Sequence, residues 1–199
     1  MISSKGDTSI MKTSPDTNFG TQQTLYINSL TNSRSIIYIQ YDSTRLEGKC
    51  LNYGQLEFKR ASKSIPVGNG IDSFITLSQI STEWDEYSIT WNSKPTISIP
   101  PTPGSNFTSL NNDWYSLQVP LTYLNNPYQR TLSFSIELDN DNVFTETEFY
   151  SKESTGFLRP NLRVSYTVCG AHSYCENSVC VCENGYAKNT SDTCECNIF

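Results

Sequence analysis

The chain has 199 residues, of which 36% are hydrophobic, 12% aromatic and 17% charged, and its formal net charge is −6. This composition is too apolar and aromatic for a disordered chain, and the scattered Lys and Arg residues form no basic stripe of the kind that binds nucleic acid. No apolar run approaches the roughly 18 residues that a membrane-spanning helix needs, so we expect neither a nucleic-acid partner nor a membrane span.

Apolar and polar residues alternate with a period of two in several runs before residue 169. The apolar members of these runs are Ile37, Ile39 and Tyr41; Leu56 and Phe58; Tyr87, Ile89 and Trp91; Leu132, Phe134, Ile136 and Leu138; and Leu162, Val164, Tyr166 and Val168. This period gives a strand one buried and one solvated face, as in an antiparallel sheet. We therefore expect many of these runs to be strands.

Turn-forming residues separate the runs. They lie at 13–16, 67–70, 99–104, 125–127 and 139–142. Gly and Asn adopt positive φ readily, and Pro cannot donate to a central strand ladder, so such residues end strands. The pattern predicts an all-β fold, a jelly-roll-like antiparallel β-sandwich, with at most one or two turns of helix at 78–84.

The cysteines divide the chain into two parts. Six of the seven lie within residues 169–196, whereas Cys50 stands alone before them. A short segment so dense in cysteine is usually held by disulfides, which form in oxidising compartments. We predict a β-sandwich domain at 1–168 and a cysteine-rich module at 169–199. Because the count is odd, Cys50 is either buried and free, the favoured interpretation, or part of an intermolecular bond.

Two N-glycosylation sequons, at Asn106 and Asn189, agree with an extracellular or cell-surface location. The first residues of the chain have no apolar core of the signal-peptide kind. The prediction of secretion therefore depends mainly on the cysteines.

The tail has a cysteine pattern that resembles an EGF-like module. Its cysteines are Cys169, Cys175, Cys180, Cys182, Cys194 and Cys196, and Asn184-Gly-Tyr follows the Cys-x-Cys pair. The resemblance implies disulfides between Cys169 and Cys180 and between Cys182 and Cys194. The family's first cysteine, which would pair with Cys175, has no counterpart just upstream, so Cys196 or another chain could supply that partner. A zinc site is the rival interpretation, but spacings of five, four, one and eleven residues fit zinc modules poorly.

Motifs spread over residues 7–167 carry a second resemblance. They are Asp7-Thr-Ser-Ile, Asn18-Phe-Gly, Leu25-Tyr-Ile, Trp84-Asp-Glu-Tyr-Ser-Ile-Thr-Trp-Asn-Ser-Lys-Pro, Trp114-Tyr, Phe149-Tyr-Ser-Lys-Glu-Ser and Arg159-Pro-Asn-Leu-Arg-Val-Ser-Tyr. With these motifs the segment resembles a DNRLRE-type domain, one of the carbohydrate-binding-module-like β-sandwiches. The resemblance implies a secreted accessory module that binds polysaccharide or helps to build surface structures and is not itself an enzyme.

The ionisable residues give no strong catalytic signal. His172, the single histidine, lies in the tail. The acidic candidates are Glu83, Asp85 and Glu86 beside Trp84, and Glu146, Glu148 and Glu153 on or near one late strand. A glycoside hydrolase needs two carboxyls about 5–9 Å apart across a sugar, and we favour solvated faces for both groups. The run Asp139–Asn142 offers oxygen ligands suited to Ca²⁺, but the same residues form turns well, so we expect no cofactor.

Aromatic residues are the best candidates for ligand binding, because they can stack on the apolar C–H faces of sugar rings. The candidate ligand-binding residues are Trp84, Trp114, Tyr115, Tyr150, Lys152, Glu153 and Arg159. Trp91 alternates in phase with Ile89, so we assign it to the core. We predict a non-catalytic extracellular module that binds polysaccharide. The alternative is a structural subunit that self-assembles into a glycosylated extracellular fibre or surface appendage.

Overall fold

A computed structural model describes residues 1–47, 49–61, 75–97, 102–105, 107–124, 130–138, 146–176, 178–189 and 194–196, without the side chains of 102–105 and 194–196. The strands are β1 Ile2–Met11, β2 Thr24–Asn28, β3 Ser35–Asp42, β4 Lys49–Lys59, β5 Ile75–Gln79, β6 Thr102–Ser105, β7 Thr108–Ser109, β8 Trp114–Gln118, β9 Thr131–Leu138, β10 Glu146–Tyr150, β11 Asn161–Val168, β12 Ser173–Glu176, β13 Val179–Cys182, β14 Tyr186–Lys188 and β15 Cys194–Cys196. Short helical turns occupy Thr44–Leu46, Leu121–Leu124 (α1) and Gly156–Leu158. The predicted all-β fold is confirmed.

Two antiparallel sheets share the first strand. The front sheet has the order β1-β11-β4-β8-β7, and the back sheet has the order β1-β3-β9-β5-β6. Ile2 and Ser3 pair with β11, whereas Ser4–Met11 pair with β3, and the register shifts between Ser4 and Gly6. Such an irregularity bends a strand, which allows β1 to pass from one sheet to the other. Strands β2 and β10 pair with each other, and β2 adjoins β3.

The main hydrophobic core lies between the two sheets. It includes Ile37, Ile39, Tyr41, Phe134 and Ile136 from the back sheet, Leu56, Phe58, Leu117 and Leu162 from the front sheet, and Phe149 from β10. With Leu132 and Leu138, which also belong to it, the core contains the apolar members of the alternating runs in β3, β4 and β9 and the first such residue of β11. Burying each such side chain stabilises the fold by about 1.5–3 kcal/mol. The alternation in sequence therefore favours a sandwich, because it places these side chains on the face of each strand that points to the other sheet.

Three local predictions are wrong. Residues 87–91 form turns and irregular chain, although their alternation is typical of a strand. No helix forms at 78–84, because β5 extends to Gln79 and the chain then becomes irregular. Thr102–Ser105 form strand β6 at the edge of the back sheet, where a turn was predicted, and an edge strand tolerates its proline. The predictions at 67–70, 125–127, 139–142 and Asn106 lie outside the described residues.

Two antiparallel hairpins, β12–β13 and β14–β15, form the tail, and β12 and β13 contact β4 of the front sheet. Disulfides join Cys50 to Cys175 and Cys169 to Cys180. Cys182 is also in a disulfide, with a partner outside the described side chains. The prediction that Cys50 is free or forms an intermolecular bond is therefore wrong, and so is the suggested pairing of Cys175 with Cys196. Strand β4 brings Cys50 beside the β12–β13 hairpin, a proximity that the sequence separation of 125 residues hides.

Within the described ranges, no helix is both long enough and apolar enough to cross a lipid bilayer.

Candidate ligand-binding site

A long irregular segment, residues 80–97, lies across the outer face of the back sheet, and we call it the strap. Beneath it is a second, smaller core of buried residues, Ile10, Ile36, Tyr38, Ile80 and Ile89. Trp84 and Trp91 of the strap pack against this core, and the Trp84 ring meets Tyr38 edge-on with centroids 5.8 Å apart. The strap therefore owes its position to apolar burial on the face of the sheet that points away from the main core.

Polar contacts from the β1–β2 connection hold the strap in place. The side-chain amide of Asn18 donates hydrogen bonds of 2.8 Å to the carbonyls of both Glu86 and Ile89. Gly20 lies so close to the strap that a Cβ there would overlap the Glu86 carbonyl. Asn92 donates to Pro15 and to Asp16 in the same connection. The Asn-Phe-Gly motif of the sequence thus has a structural role as the strap's anchor.

A groove of about 680 Å³ opens between one side of the strap and the back sheet. Its aromatic walls are Trp84 and Tyr87, and its polar walls include Lys5, Gln40, Arg130 and Lys152. The Tyr87 side chain is 59% exposed, whereas Trp84 is half-buried. The exposed acidic residues Glu83 and Asp85 also line the groove, so both hydrogen-bond donors and acceptors face the space.

A buried ionic network fixes the wall of the groove. Lys152 Nζ lies 2.9 Å from Glu86 Oε2, and Glu86 Oε1 accepts a 2.9 Å hydrogen bond from the backbone N–H of Asp7. The Asp7 carboxylate in turn accepts hydrogen bonds from the Lys152 backbone N–H and from the Ser4 hydroxyl. Strand β1, the strap and the segment after β10 are therefore tied together directly behind the groove.

Burial raises the pKa of Asp7 to about 7, partly offset by the hydrogen bonds from Lys152 and Ser4. Burial opposes the charge of Lys152, but its contacts with Glu153 and Glu86 raise the pKa of this ammonium above its ordinary value. Lys152 thus stays charged and neutralises Glu86, while Asp7 is partly protonated near neutrality. This arrangement uses Glu86 as a structural ion-pair partner.

On the other side of the strap lies a smaller basic pocket of about 190 Å³. Its charged lining consists of Lys12, Arg34, Lys94 and Glu137, beside the ring of Trp91. Lys94 Nζ lies 3.7 Å from the Trp91 ring centroid, a cation–π geometry. Partial burial lowers the pKa of Lys94, the charge of Glu137 partly offsets this, and the charges of Arg34 and Lys12 lower the pKa further. Glu137 also pairs with Arg34 at 3.8 Å within this pocket, so its cations are partly neutralised.

The structure divides the predicted ligand-binding residues among several places. Trp84 and Lys152 line the groove, and Glu153 pairs with Lys152 beside it. Tyr150 is half-buried at the end of β10, and Arg159 donates to the carbonyl of Ser154. Trp114 and Tyr115 lie on β8 of the front sheet, where the Tyr115 ring packs against Phe107 and Phe149 of the core. The seven residues therefore do not form one site.

The groove residues that were not identified from the sequence include Tyr87, Lys5, Gln40 and Arg130. Tyr87 was misassigned because it alternates with Ile89 and Trp91. The predicted core position of Trp91 agrees with its packing against the second core. A useful signal was available in the Asn and Pro residues that flank Trp91, since such residues end strands and indicate a loop.

The other acidic, histidine and cysteine candidates lie outside the groove. Glu146 and Glu148 share one face of β10 as predicted, and Glu146 accepts a 2.6 Å hydrogen bond from the Tyr26 hydroxyl. His172 stacks on Tyr186 in the tail, with ring centroids 4.0 Å apart. The sulfurs of Cys50, Cys169 and Cys180 lie within 4.8 Å of one another, but all three belong to disulfides, which leaves no thiolate for a metal.

Comparison with protein-family models finds a similarity over most of the chain. The model of carbohydrate-binding module family 96 matches residues 1–166, which include the strap, the groove and both sheets. A comparison with curated proteins found no match.

Proposed function

The chain belongs to carbohydrate-binding module family 96 over residues 1–166, and we propose that it binds polysaccharide in the groove between the strap and the back sheet. The proposed role is that of a non-catalytic binding module, which the family description as a carbohydrate-binding module supports. The finer DNRLRE-type assignment, expected from the sequence motifs, is part of this proposal.

We assign the binding site to the groove because an exposed aromatic ring lies there beside a rigid polar wall. Tyr87 is 59% exposed and its backbone N–H is held by the Asp85 carboxylate at 2.9 Å. Sugar rings present apolar C–H faces that stack on such aromatics, and their hydroxyls need the donors and acceptors that the groove supplies. The Glu86–Lys152 pair behind Tyr87 limits the rearrangement that binding would otherwise require.

Affinity electrophoresis tests this function. Wild-type protein should be retarded in native gels that contain one or more of xylan, galactomannan and pectin, and Tyr87→Ala should reduce that retardation. Tyr174→Ala is the matched control, since this tyrosine is 49% exposed but lies in the tail hairpin. Equal retardation of wild type and Tyr87→Ala would place the ligand elsewhere, and no retardation of wild type in any gel would contradict the function.

We also propose that residues 169–199 form an EGF-like module whose first cysteine is Cys50, contributed by the sandwich. The Cys50–Cys175 and Cys169–Cys180 disulfides support this, because they match the first-to-third and second-to-fourth pairs that the resemblance implies. The boundary at 168/169 then separates two units that share one disulfide. Peptide mapping without reduction should recover Cys182 linked to Cys194; a Cys182–Cys196 peptide would contradict the assignment.

We propose an extracellular location, supported by the disulfides and by the sequon at Asn189, which is half-exposed just after β14. Expression through a secretory pathway should give a product whose mass falls after treatment with an N-glycosidase. One argument for the fibre-forming alternative was that unpaired cysteines could link neighbouring molecules. Cys50 and Cys175 do not support it, because they form a disulfide with each other.

A further inference from the structure

The outer face of the front sheet has a side-chain composition unlike that of the covered back sheet. Along β4, Leu56 and Phe58 point into the main core, so Gln55, Glu57 and Lys59 point outward. Their partners in the neighbouring strands are Asn161 and Arg163 of β11 and Trp114, Ser116 and Gln118 of β8. We call the surface of Tyr53, Gln55, Glu57, Arg163 and Trp114 the platform.

A chain of side-chain contacts orders the centre of the platform. The Tyr53 hydroxyl donates to Gln55 Oε1, and Gln55 Nε2 donates to Glu57 Oε1. The Arg163 side chain is 60% exposed, and its Nη1 lies 3.5 Å from Oε1 of Glu57. Glu57 itself is only 6% exposed, so an acidic group is held under its neighbours in the middle of an outward-facing surface. Networks of this kind restrict side-chain rotamers and present donors and acceptors in fixed directions.

Aromatic rings mark the two ends of the platform. Tyr53, near the middle of β4, is 39% exposed, and the half-buried Trp114 lies opposite Lys59 at the end of the strand. Lys59 lies six positions after Tyr53, which corresponds to about 20 Å along an extended strand. An elongated ligand can therefore contact both rings and the polar groups between them.

We propose that the platform is a second polysaccharide-binding site, on which an extended sugar chain lies along β4 between Tyr53 and Trp114. The inference rests on the proposed function for the class of ligand and adds a site distinct from the strap groove. A sugar chain fits because its hydroxyls both donate and accept hydrogen bonds, which matches the half-buried amide of Gln55 and the exposed guanidinium of Arg163. A protein partner fits less well, because the centres of protein interfaces are depleted in Glu and Asp, whereas Glu57 stands at the centre here.

Two sites on opposite sheets make the module bivalent. The groove lies on the outer face of the back sheet and the platform on the outer face of the front sheet, with the main core between them. One short oligosaccharide cannot reach both. One protein molecule can instead bridge two polysaccharide chains, and its avidity for a dense polymer exceeds that of either site alone.

The test compares Tyr53→Ala/Arg163→Gln with Tyr87→Ala in the affinity gels described above. Tyr53 and Arg163 are exposed, but Arg163→Gln also leaves the buried Glu57 without its ion-pair partner, so near-ultraviolet circular dichroism must first establish that the variant is folded. Each variant should lose about tenfold or more in avidity, and the combined variant should migrate as it does without polymer. Wild type should also make a solution of long-chain polymer turbid, whereas either variant should not.

The outcomes separate the two proposals. If Tyr53→Ala/Arg163→Gln matches wild type in retardation and turbidity while Tyr87→Ala is weakened, the platform is overturned and the groove stands. If Tyr87→Ala matches wild type while the platform variant is weakened, the platform stands and the groove is overturned. If wild type is retarded in no gel, both fail together.

Discussion

Lys152 Nζ lies 2.9 Å from the carboxylate of Glu86, which is 6% exposed, and this ion pair connects the strap to the segment that follows β10. Removing one partner of a buried pair leaves an uncompensated charge, which costs more than the pair contributes. We therefore expect Lys152→Met to lower the free energy of unfolding by about 2–4 kcal/mol in urea titrations.

Glu153→Gln is the matched control for that measurement. Glu153 pairs with the same ammonium but is exposed, and exposed ion pairs contribute about 0–1 kcal/mol. The double variant Glu86→Gln/Lys152→Met should be less destabilised than Lys152→Met alone, because it removes the stranded charge. A Lys152→Met variant as stable as wild type would show that solvent reaches Glu86.

Asp7 should make stability depend on pH in an unusual direction for a carboxyl group. Its folded-state pKa of about 7 exceeds the unfolded value of 3.8, so the native state binds more protons between these limits. The resulting stabilisation is fully present below about pH 4 and is lost as the pH rises toward 7.

Asp7→Asn removes this titration while it keeps an oxygen that can accept from the Lys152 backbone. Between pH 4 and 8, the unfolding free energy of wild type should fall relative to that of Asp7→Asn by on the order of 4 kcal/mol. Urea titrations at a series of pH values measure the difference. Parallel curves for the two proteins would mean that Asp7 remains ionised in the fold.

The alternation of apolar residues was enough to predict the sandwich, because strands such as β9 have one face in the main core and a periodicity that no local feature disturbs. The same reasoning misassigned residues 87–91. There Ile89 and Trp91 alternate because they pack onto the outside of an existing sheet, and burial of this kind leaves the same pattern as a strand.

The candidate site was predictable only in part for a related reason. Trp84 and Lys152 carry chemistry that can be recognised from residue type, whereas Lys5, Gln40 and Arg130 are ordinary polar residues that the fold brings to one groove. The Cys50–Cys175 bond was likewise hidden, because pairing over 125 positions depends on where β4 runs.

The Cys50–Cys175 disulfide should stabilise the protein more than the Cys169–Cys180 disulfide. In the chain-entropy model, a separation of 125 residues corresponds to about 4–5 kcal/mol and one of 11 residues to about 3 kcal/mol. Cys50→Ala/Cys175→Ala should thus have the lower melting temperature of the two double variants. Limited proteolysis should also release its tail faster, and equal release from both would show that other contacts hold the tail.

Tyr87→Ala and Trp84→Ala should differ in what they disturb. Tyr87 is mostly exposed, so its removal should change the unfolding free energy by less than about 0.5 kcal/mol while weakening polysaccharide binding about tenfold. Trp84 packs on Tyr38, so its removal should also cost about 1–3 kcal/mol of stability. Calorimetric melting beside affinity electrophoresis separates the two effects, and loss of stability in Tyr87→Ala would assign it to packing.

Substitutions at Gly20 and Gly54 test whether the position of the strap depends on its close approach to Gly20. A Cβ on Gly20 would overlap the backbone carbonyl of Glu86, whereas a Cβ on Gly54 would meet the flexible end of the Leu124 side chain. Backbone cannot give way without moving the strap, so Gly20→Ala should cost about 1–3 kcal/mol or more and also weaken binding in the groove. Gly54→Ala should cost less and leave the groove intact, because Leu124 can change rotamer. Equal losses of stability and binding in the two variants would show that the strap does not depend on this close approach.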